Sequence, residues 1–514
     1  MTIRKKTALA VACHGLLFSS PHGVSAATME ERMQAMERRL VEMETRLEQS
    51  ENENTQLRKQ IAAKTQETNP KNLPVATSDG EVKALNDKVA TLEKKIEQDR
   101  KVTAEAAKNA PKVEIGNKGL VVKSADENYR LSLRAYAQAD GNFFMDDSTG
   151  DAIPDKFSIR RARLTIDGTF FKWADFRFSP DFGQGNLRLF DAFADLHYFP
   201  YASLMAGKFR PPINGLERQQ GAPNIAFVER ALTQNLTPAR DIGVMLHGQI
   251  PYPGYKTQYT ILPVFKEFFG YELGVFNGAR DGGNVDSERD DNKEFAGRLI
   301  SHPFMHSGIP ALEGLGINLA GSWGQPRGHS LNRLTSAGQQ AFLNYNPNVT
   351  AFGDAYRITP GAYWYWGSFG LLTEYVISSQ RLADGTRTRT ARQDNTAWQV
   401  QTSYVLTGER NSFFGIKPAR NFDPFAGTWG AFQIAARWGE LDVDDDTFKY
   451  NGAFANPSTS ASKATEWALG LNWYLNPNIK LMADYAQTYF DGGAARGRDR
   501  PTEKAFLTRF QYQF

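Results

Sequence analysis

Cysteine is almost absent from this chain, since Cys13 is the only one among 514 residues. It lies in an N-terminal stretch that we expect to be removed, so the mature chain is predicted to lack disulfides, catalytic thiols and cysteine-bound zinc. Net charge is small too, because 60 Lys and Arg nearly balance 57 Asp and Glu. This small net charge predicts no nucleic-acid partner. Any attraction for anions must come from local clusters of basic residues.

Long apolar runs are also missing. The mean hydropathy is −0.49, and no stretch of about 18 apolar residues occurs. This excludes a membrane protein built from helices. It does not exclude a transmembrane β-barrel, whose lipid-facing residues alternate with polar ones and give no hydropathy peak.

The N-terminus has the three parts of a secretory signal peptide. Three basic residues at 4–6 precede a mostly apolar stretch at 8–18, and a run of small residues ends at Ala27. We therefore predict that residues 1–27 are a signal peptide that is removed on export.

Two polar segments with heptad spacing follow. In residues 28–66, apolar side chains recur three and four positions apart for about four heptads, with Asn54 at a core position. Pro and Gly mark a linker at 67–80, and a shorter heptad pattern with its own linker occupies 81–111. We predict a coiled coil, since so polar a helix would be marginal alone. The pattern leans towards a parallel dimer but is too short to decide the assembly.

Residues 112–514 have one uniform pattern, in which short runs of alternating polarity are separated by Gly-, Pro-, Asn- and Asp-containing connections. In the last run, aromatic side chains at Phe506, Phe510 and Phe514 alternate with polar ones. Short turns such as 476–478 alternate with long polar connections, as in outer-membrane barrels. A β-sandwich also alternates, but its domains have about 100 residues, and no linker divides this stretch. We predict an all-β fold, a single transmembrane antiparallel barrel of about sixteen strands with an aqueous channel.

Alternation also predicts which side chains face the channel. Arg134 on one strand, and Arg161 and Arg163 on the next, have inward parity. Arg160 has the parity of the lipid face, so we expect it near the membrane rim or beside a β-bulge. An arginine on the lipid face costs about 2–4 kcal/mol at the bilayer midplane, which favours the lumen for the others. Further residues predicted to face inward are Asp167, Asp175, Arg177, Asp181, Asp191, Asp195, Lys208, Arg210 and Arg298.

Two connections add more cations. The longest early one, Pro211 to Arg240, contains Arg218 and Arg230 and could fold into the lumen and narrow it. A connection predicted at 381–395 carries four further arginines. A ring of cations at a constriction favours anions, and the arginine fork suits phosphate. The same arginines could instead pair with carboxylates across a water-filled wall, as in general porins.

Four short motifs, taken in their order and spacing, carry a resemblance to a known family. They are Ile159-Arg160-Arg161-Ala162 leading to Asp167-Gly168-Thr169, then Leu406-Thr407-Gly408-Glu409, Leu469-Gly470-Leu471-Asn472-Trp473-Tyr474, and Leu507-Thr508-Arg509-Phe510-Gln511-Tyr512-Gln513-Phe514. Over most of 112–514 the chain resembles the phosphate-selective porin O/P family of Gram-negative outer membranes. The resemblance implies a sixteen-stranded barrel, a homotrimer and an anion channel with arginines at its constriction.

The resemblance also implies which residues line that constriction. The phosphate-binding lysine of the family is replaced by Pro223, which removes a cation but leaves a general anion preference intact. Arg163 adds a cation where the family has an aromatic or hydrophobic residue. The implied pore residues are the paired strand arginines Arg160 and Arg161, Arg134 on the preceding strand, Glu229 and Arg230 in the constriction loop, and the aspartate Asp191.

We therefore predict an outer-membrane porin with a water-filled, anion-selective channel for phosphate, polyphosphate or other small anions, with no cofactor, metal or catalytic site. Its expected partners are outer-membrane lipid, lipopolysaccharide and further copies in a homotrimer, with the coiled coil in the periplasm. The alternatives are a general porin, a porin for another solute, or a barrel-anchored coiled-coil tether. An outer-membrane hydrolase is disfavoured, because no histidine lies beside a recognisable nucleophile motif.

Overall fold

The computed structural model describes residues 78–116, 119–145, 153–199, 201–254, 267–288 and 290–514, with scattered residues between 45 and 63. The predicted signal peptide, most of the first heptad segment and most of the first linker lie outside these residues. The chain divides into two compact units, Met1–Ala110 and Pro111–Phe514.

The first unit contains helix α1 (Ser78–Asn109). Helical residues between 51 and 60 pair with it: Arg100 Nη2 lies 2.7 Å from Glu51 Oε1, and Arg58 pairs with Glu93. Glu51 precedes Arg58 in the first segment, whereas its partner Arg100 follows Glu93 in α1, so the two segments run antiparallel within one chain. This differs from the parallel pairing that the heptads favour, since the intervening connection is long enough for the chain to reverse. Among the described residues, no helix has the length and hydropathy needed to cross a membrane.

In the described part of the second unit, sixteen antiparallel strands close into one barrel. Each pairs with its neighbour, and the last strand, β21 (Glu503–Gln513), pairs with the first, β3 (Arg130–Phe144), to complete the ring. The predicted all-β barrel and its strand number are confirmed. A hairpin of β1 (Lys112–Gly116) and β2 (Gly119–Lys123) precedes the barrel and pairs with the start of β3.

The remaining strands follow in chain order. Those of the barrel are β3 (Arg130–Phe144), β4 (Lys156–Phe170), β5 (Ala174–Asp181), β6 (Arg188–Phe199), β7 (Ala202–Phe209), β8 (Asp241–Ile250), β9 (Phe269–Phe276), β10 (Glu294–Ser301), β11 (Leu315–Gly324), β15 (Thr350–Trp366), β16 (Phe369–Ala383), β17 (Thr390–Val405), β18 (Ala431–Asp442), β19 (Ala461–Tyr474), β20 (Ile479–Gly492) and β21 (Glu503–Gln513), while β12 (Arg327–Ser330), β13 (Leu334–Thr335) and β14 (Ala341–Leu343) lie in one connection.

The two faces of the barrel wall differ as the alternation predicts. Leu204, Val244 and Leu273 on neighbouring strands are exposed on the outer face, whereas Asp167 and Asp191 are buried on the inner face. Such a closed sheet pairs the backbone groups of every strand and leaves no open edge in lipid. The wall therefore separates an apolar exterior from a polar lumen.

Arg160 is the exception to simple alternation, and a β-bulge explains it. Gln138 of β3 pairs with Arg161, and Ala139 pairs with Ile159, so that Arg160 has no partner on β3. An extra residue of this kind re-aims a side chain. Arg160 consequently points into the lumen, as the bulge alternative predicted.

A second bulge lies in β6. Ser179 pairs with Asp191 and Pro180 with Leu189, which leaves Phe190 as the extra residue. The Phe190 ring centre lies 3.7 Å from Cζ of the inward Arg163. Two bulges thus add one cation and one aromatic ring to the lumen.

The connections are mostly short at one end of the barrel and long at the other. The turns at 367–368 and 475–478 are short, while 210–240 and 325–349 are long. The connection 406–430 departs from this rule, because it is long yet lies at the short-turn end.

The prediction of a long connection at 381–395 is wrong in extent. Strands β16 and β17 leave only 384–389 between them and pair residue by residue up to that turn. Strand pairing continues there because residues beyond the membrane tolerate polar side chains on both faces.

Part of the hydrophobic core lies inside the barrel, where the connection 210–240 packs on the inner wall. Phe227 and Val228 contact small inner side chains such as Ala435 and Ala468. A Cβ at Gly470 would lie 3.2 Å from the Phe227 ring. Small residues on the wall therefore make room for this ring, which anchors the connection.

We expect Phe227→Ala to loosen this connection while the barrel still folds. Loss of a buried phenylalanine ring costs about 3–5 kcal/mol, and here the loss falls on the connection rather than on the strand pairing. Single-channel conductance in planar bilayers should rise. Phe510→Ala, which removes an exposed ring from the outer face, should leave conductance unchanged. Equal conductance of all three proteins would contradict the anchoring role.

Candidate pore constriction

Residues 210–240, which we call the inner loop, lie inside the barrel and are fastened to its wall. Lys480 Nζ donates to the carbonyl of Ile225 at 3.0 Å, and Asn472 Nδ2 donates to that of Ala226 at 2.7 Å. On the opposite side of the lumen, Arg298 donates to the carbonyl of Asn214. Because these donors sit on β20, β19 and β10, the loop is held around much of the barrel circumference. The predicted inward course of this connection is confirmed.

One carboxylate of the inner loop, Glu229, joins three arginines. Its oxygens lie 2.5 Å from Arg160 Nε, 3.5 Å from Arg161 Nη2 and 3.3 Å from Arg509 Nη2. Burial raises the pKa of Glu229, but the three guanidinium charges outweigh burial and hold that pKa well below its ordinary value. Arg509 also makes two hydrogen bonds to Asp140, at 2.7 and 2.6 Å. Three cations thus meet two carboxylates in this cluster.

Further arginines continue along the same wall towards the short-turn end. Arg163 Nη2 lies 2.8 Å from Asp181 Oδ2. Arg134 and Arg177 share the carboxylate of Asp167, with Nε to oxygen distances of 3.0 and 2.6 Å. Arg134 is the most open of these, with 42% of its side chain exposed. One carboxylate serving two guanidiniums again leaves positive charge in excess.

The two ends of the inner loop bring in two more cations. Arg240 Nε lies 2.6 Å from Asp191 Oδ1. Arg210 donates to the backbone carbonyls of Gln219 and Gln220, and no carboxylate of the described residues lies within ion-pair distance of it. Its charge is therefore not neutralised locally.

Arg230 lies next to Glu229 in the inner loop, and its hydrogen bonds stay within that loop. It donates to the backbone carbonyls of Glu217 and Gln220 within the inner loop. Burial lowers the pKa of Arg230, with the charges of Glu217 and Glu229 acting in the opposite direction, but a guanidinium stays protonated at any pH near neutrality. Arg230 therefore stabilises the shape of the loop.

A cavity of about 470 Å³ lies between this wall and the inner loop. We call it the arginine cavity. Its positively charged lining faces loop residues 219–224, and Glu272, which also lines it, pairs with Arg298 at 3.0 Å. Four of its five lining arginines, Arg134, Arg163, Arg177 and Arg240, pair with three carboxylates, Asp167, Asp181 and Asp191. Within the described part of the chain, the fifth, Arg210, bonds only backbone carbonyls.

The structure separates the predicted constriction residues into two layers. Arg134, Arg163 and Asp191 line the arginine cavity. Arg160 and Arg161 form the neighbouring layer with Glu229, while Arg230 lies within the loop itself.

Some lining residues were absent from the predicted constriction set. Strand alternation places Arg177 on the lumen face. Only its ion pair with Asp167, seen in the structure, places it beside Arg134 at the cavity. Arg210 and Arg240 are the first and last residues of the inner loop. Strand alternation stops there, so it no longer predicts which way a side chain points. Phe190 gives no signal in the sequence, because only the bulge turns it inward.

The chain is similar to known porins. The family described as phosphate-selective porin O and P matches residues 119–514. Porin O of Pseudomonas aeruginosa is 26% identical over 441 residues, which cover 77% of this chain and 91% of that protein. Both are channels, which confirms the expectation that the chain is not an enzyme.

Two solved structures have a chain of similar course. The channel DcaP of Acinetobacter baumannii is 12% identical, with a TM-score of 0.46 over 76% of this chain and 99% of that one. Salmonella typhi OmpF in complex with daunomycin is 13% identical, with a TM-score of 0.44 over the same shares.

We expect Glu229→Gln to increase preference for anions, because it frees three guanidiniums from their shared carboxylate. The measurement is the reversal potential across a planar bilayer in a KCl gradient. Asp445→Asn removes one negative charge from an exposed position far along the chain, and should leave the reversal potential nearly unchanged. A shift towards cations in Glu229→Gln would contradict the charge balance described here.

Proposed function

Because the chain belongs to the phosphate-selective porin O and P family, and is therefore an outer-membrane porin, we propose that it forms a water-filled channel selective for small anions. Phosphate is among the anions that it would pass. Selectivity would come from the arginines that face the lumen.

The observation that carries this proposal is the excess of guanidinium over carboxylate on one wall. The arginine cavity has five arginines, of which four pair with three carboxylates and Arg210 pairs with none of the described ones. The Glu229 cluster adds three cations to two anions. Two charges 4 Å apart interact with about 1 kcal/mol in bulk water and about 4 kcal/mol at an effective dielectric of 20. A modest local excess is therefore enough to favour anions over cations.

The carboxylates have a role in this arrangement. Each ion pair holds a guanidinium on the wall, and an arginine with one carboxylate partner still has N–H groups free to face a passing anion. Pro223 on the loop side supplies neither charge nor N–H. We therefore propose that phosphate passes without a tight site that closes around it.

Reversal potentials in a chloride gradient test this function directly. The full-length protein is reconstituted in a planar bilayer, and phosphate is then added stepwise. Anion selectivity without block at low phosphate supports the proposal. Strong block at low phosphate would contradict the absence of a tight site, while cation selectivity or absence of conductance would overturn the proposal as a whole.

Arg134→Gln should lower the anion-to-cation permeability ratio. It removes an exposed cation, while Asp167 keeps Arg177 as its partner, so the wall stays paired. The difference from wild type should shrink between 0.1 M and 1 M salt, because the Debye length falls from about 10 Å to about 3 Å. Arg420→Gln, an exposed position in the connection 406–430, is the matched control. An unchanged ratio in Arg134→Gln at low salt would speak against the role of this wall.

We also propose a homotrimer embedded in outer-membrane lipid and lipopolysaccharide, with the N-terminal helical unit in the periplasm. Exposed aromatic side chains near the strand ends, among them Trp173, Tyr198 and Trp366, suit a lipid interface. If the barrel alone carries the channel, deletion of residues 28–110 should leave conductance and selectivity intact. Chemical cross-linking of this variant should still yield trimers. Loss of trimers would assign assembly to the helical unit, and loss of conductance alone would contradict a self-sufficient barrel.

A further inference from the structure

The arginine cavity has a second, apolar kind of wall. Phe193, Met205 and Met245 line it from the inner faces of β6, β7 and β8, and Phe209 joins them in one buried cluster. The lumen of a water-filled barrel is ordinarily polar. Aromatic and thioether side chains on three adjacent strands thus give the cavity an apolar surface next to its cations.

The connection 406–430 adds an apolar lip. Asn411 Nδ2 donates to Ser403 Oγ at 2.8 Å, which fixes the point where the chain enters the barrel. Phe413 then stacks on Tyr363 with ring centres 4.7 Å apart. This anchoring leaves Phe414 on the cavity with 46% of its surface exposed.

The lip and the inner loop meet. Gln220 Nε2 donates to the carbonyl of Phe413 at 3.1 Å, so the two segments together bound the cavity across from the strands that carry Arg134, Arg163 and Arg177. The cavity is therefore cationic on one side and aromatic on the other.

Residues 219–224 of the inner loop offer no charged donor to an anion. Gly221, Ala222 and Pro223 face the cavity without charge, and Gln219, Gln220 and Asn224 add only neutral amides. An inorganic oxyanion accepts hydrogen bonds on all sides, and here charged donors approach it from one side. An anion with one polar end and one apolar end would match both walls.

We propose that the arginine cavity favours organic anions bearing an aromatic ring beside a carboxylate, over inorganic oxyanions and small or polar carboxylates. The carboxylate faces the arginine wall, and the ring lies against Phe414. This inference rests on the proposed anion channel and names the substrate class of that same site.

Half-blocking concentrations of the chloride current test the preference in the full-length protein. Four probes are compared at neutral pH: benzoate, acetate, gluconate and phosphate. Benzoate, acetate and gluconate carry the same charge, and gluconate matches benzoate roughly in size without an apolar ring. We expect benzoate to block at several-fold lower concentration than any of the others. Equal block by benzoate and gluconate, or stronger block by phosphate, would overturn the preference while chloride selectivity still stands. Cation selectivity in KCl would instead defeat the proposed function itself.

A variant pair separates the aromatic lip from the rest of the channel. Phe414→Ala should raise the half-blocking concentration of benzoate by roughly two- to ten-fold, the range expected for one aromatic contact, and leave that of gluconate unchanged. Phe425 lies on the same connection, is fully exposed, and does not line the cavity. Phe425→Ala should therefore match wild type with every probe. An unchanged benzoate block in Phe414→Ala would show that the lip does not contact the anion.

Discussion

Lipid offers the backbone no hydrogen-bond partner, and this constraint determines the rest of the structure. It requires a sheet that closes on itself, as β21 does on β3. A closed sheet in turn sends alternate side chains into the lumen, where polar groups must satisfy one another. The inner loop supplies many of the missing partners, since its carbonyls accept from Lys480 and Asn472 and its Glu229 meets Arg160, Arg161 and Arg509.

The selectivity proposed for this lumen depends on the small net charge that remains after most arginines and carboxylates have paired. Breaking a buried ion pair leaves one charge uncompensated, which makes paired residues such as Arg163 and Asp181 difficult to move. The pairs therefore form a rigid frame. The arginines in excess, above all Arg210 and Arg134, are held in place by this frame and by backbone carbonyls, so their charges keep fixed positions in the lumen.

Much of the barrel follows from the sequence because strand alternation is a local rule. It placed Arg163, Asp167 and Asp191 on the lumen face, while the strand number follows from the length of the uniform stretch. The rule fails where one residue is inserted, as at Arg160, or where strands end, as at Arg210 and Arg240. Partners distant in the sequence, such as Glu229 and Arg509, depend on how the inner loop crosses the lumen, and no local pattern records that. The antiparallel contact between Arg100 and Glu51 escapes prediction for the same reason, because heptads fix a helix face but not its direction.

The two β-bulges have a consequence for how such a pore changes over generations. Removing one residue beside Arg160 would restore regular pairing of β3 with β4 and turn one cation out of the lumen, and the same change beside Phe190 would remove an aromatic ring. Each event is a three-nucleotide deletion that leaves the neighbouring strands in register. A barrel of this design can therefore exchange the side chains of its lumen by single-residue insertions or deletions within strands. Compact soluble cores, where a slipped strand exposes its whole apolar face, rarely survive such changes.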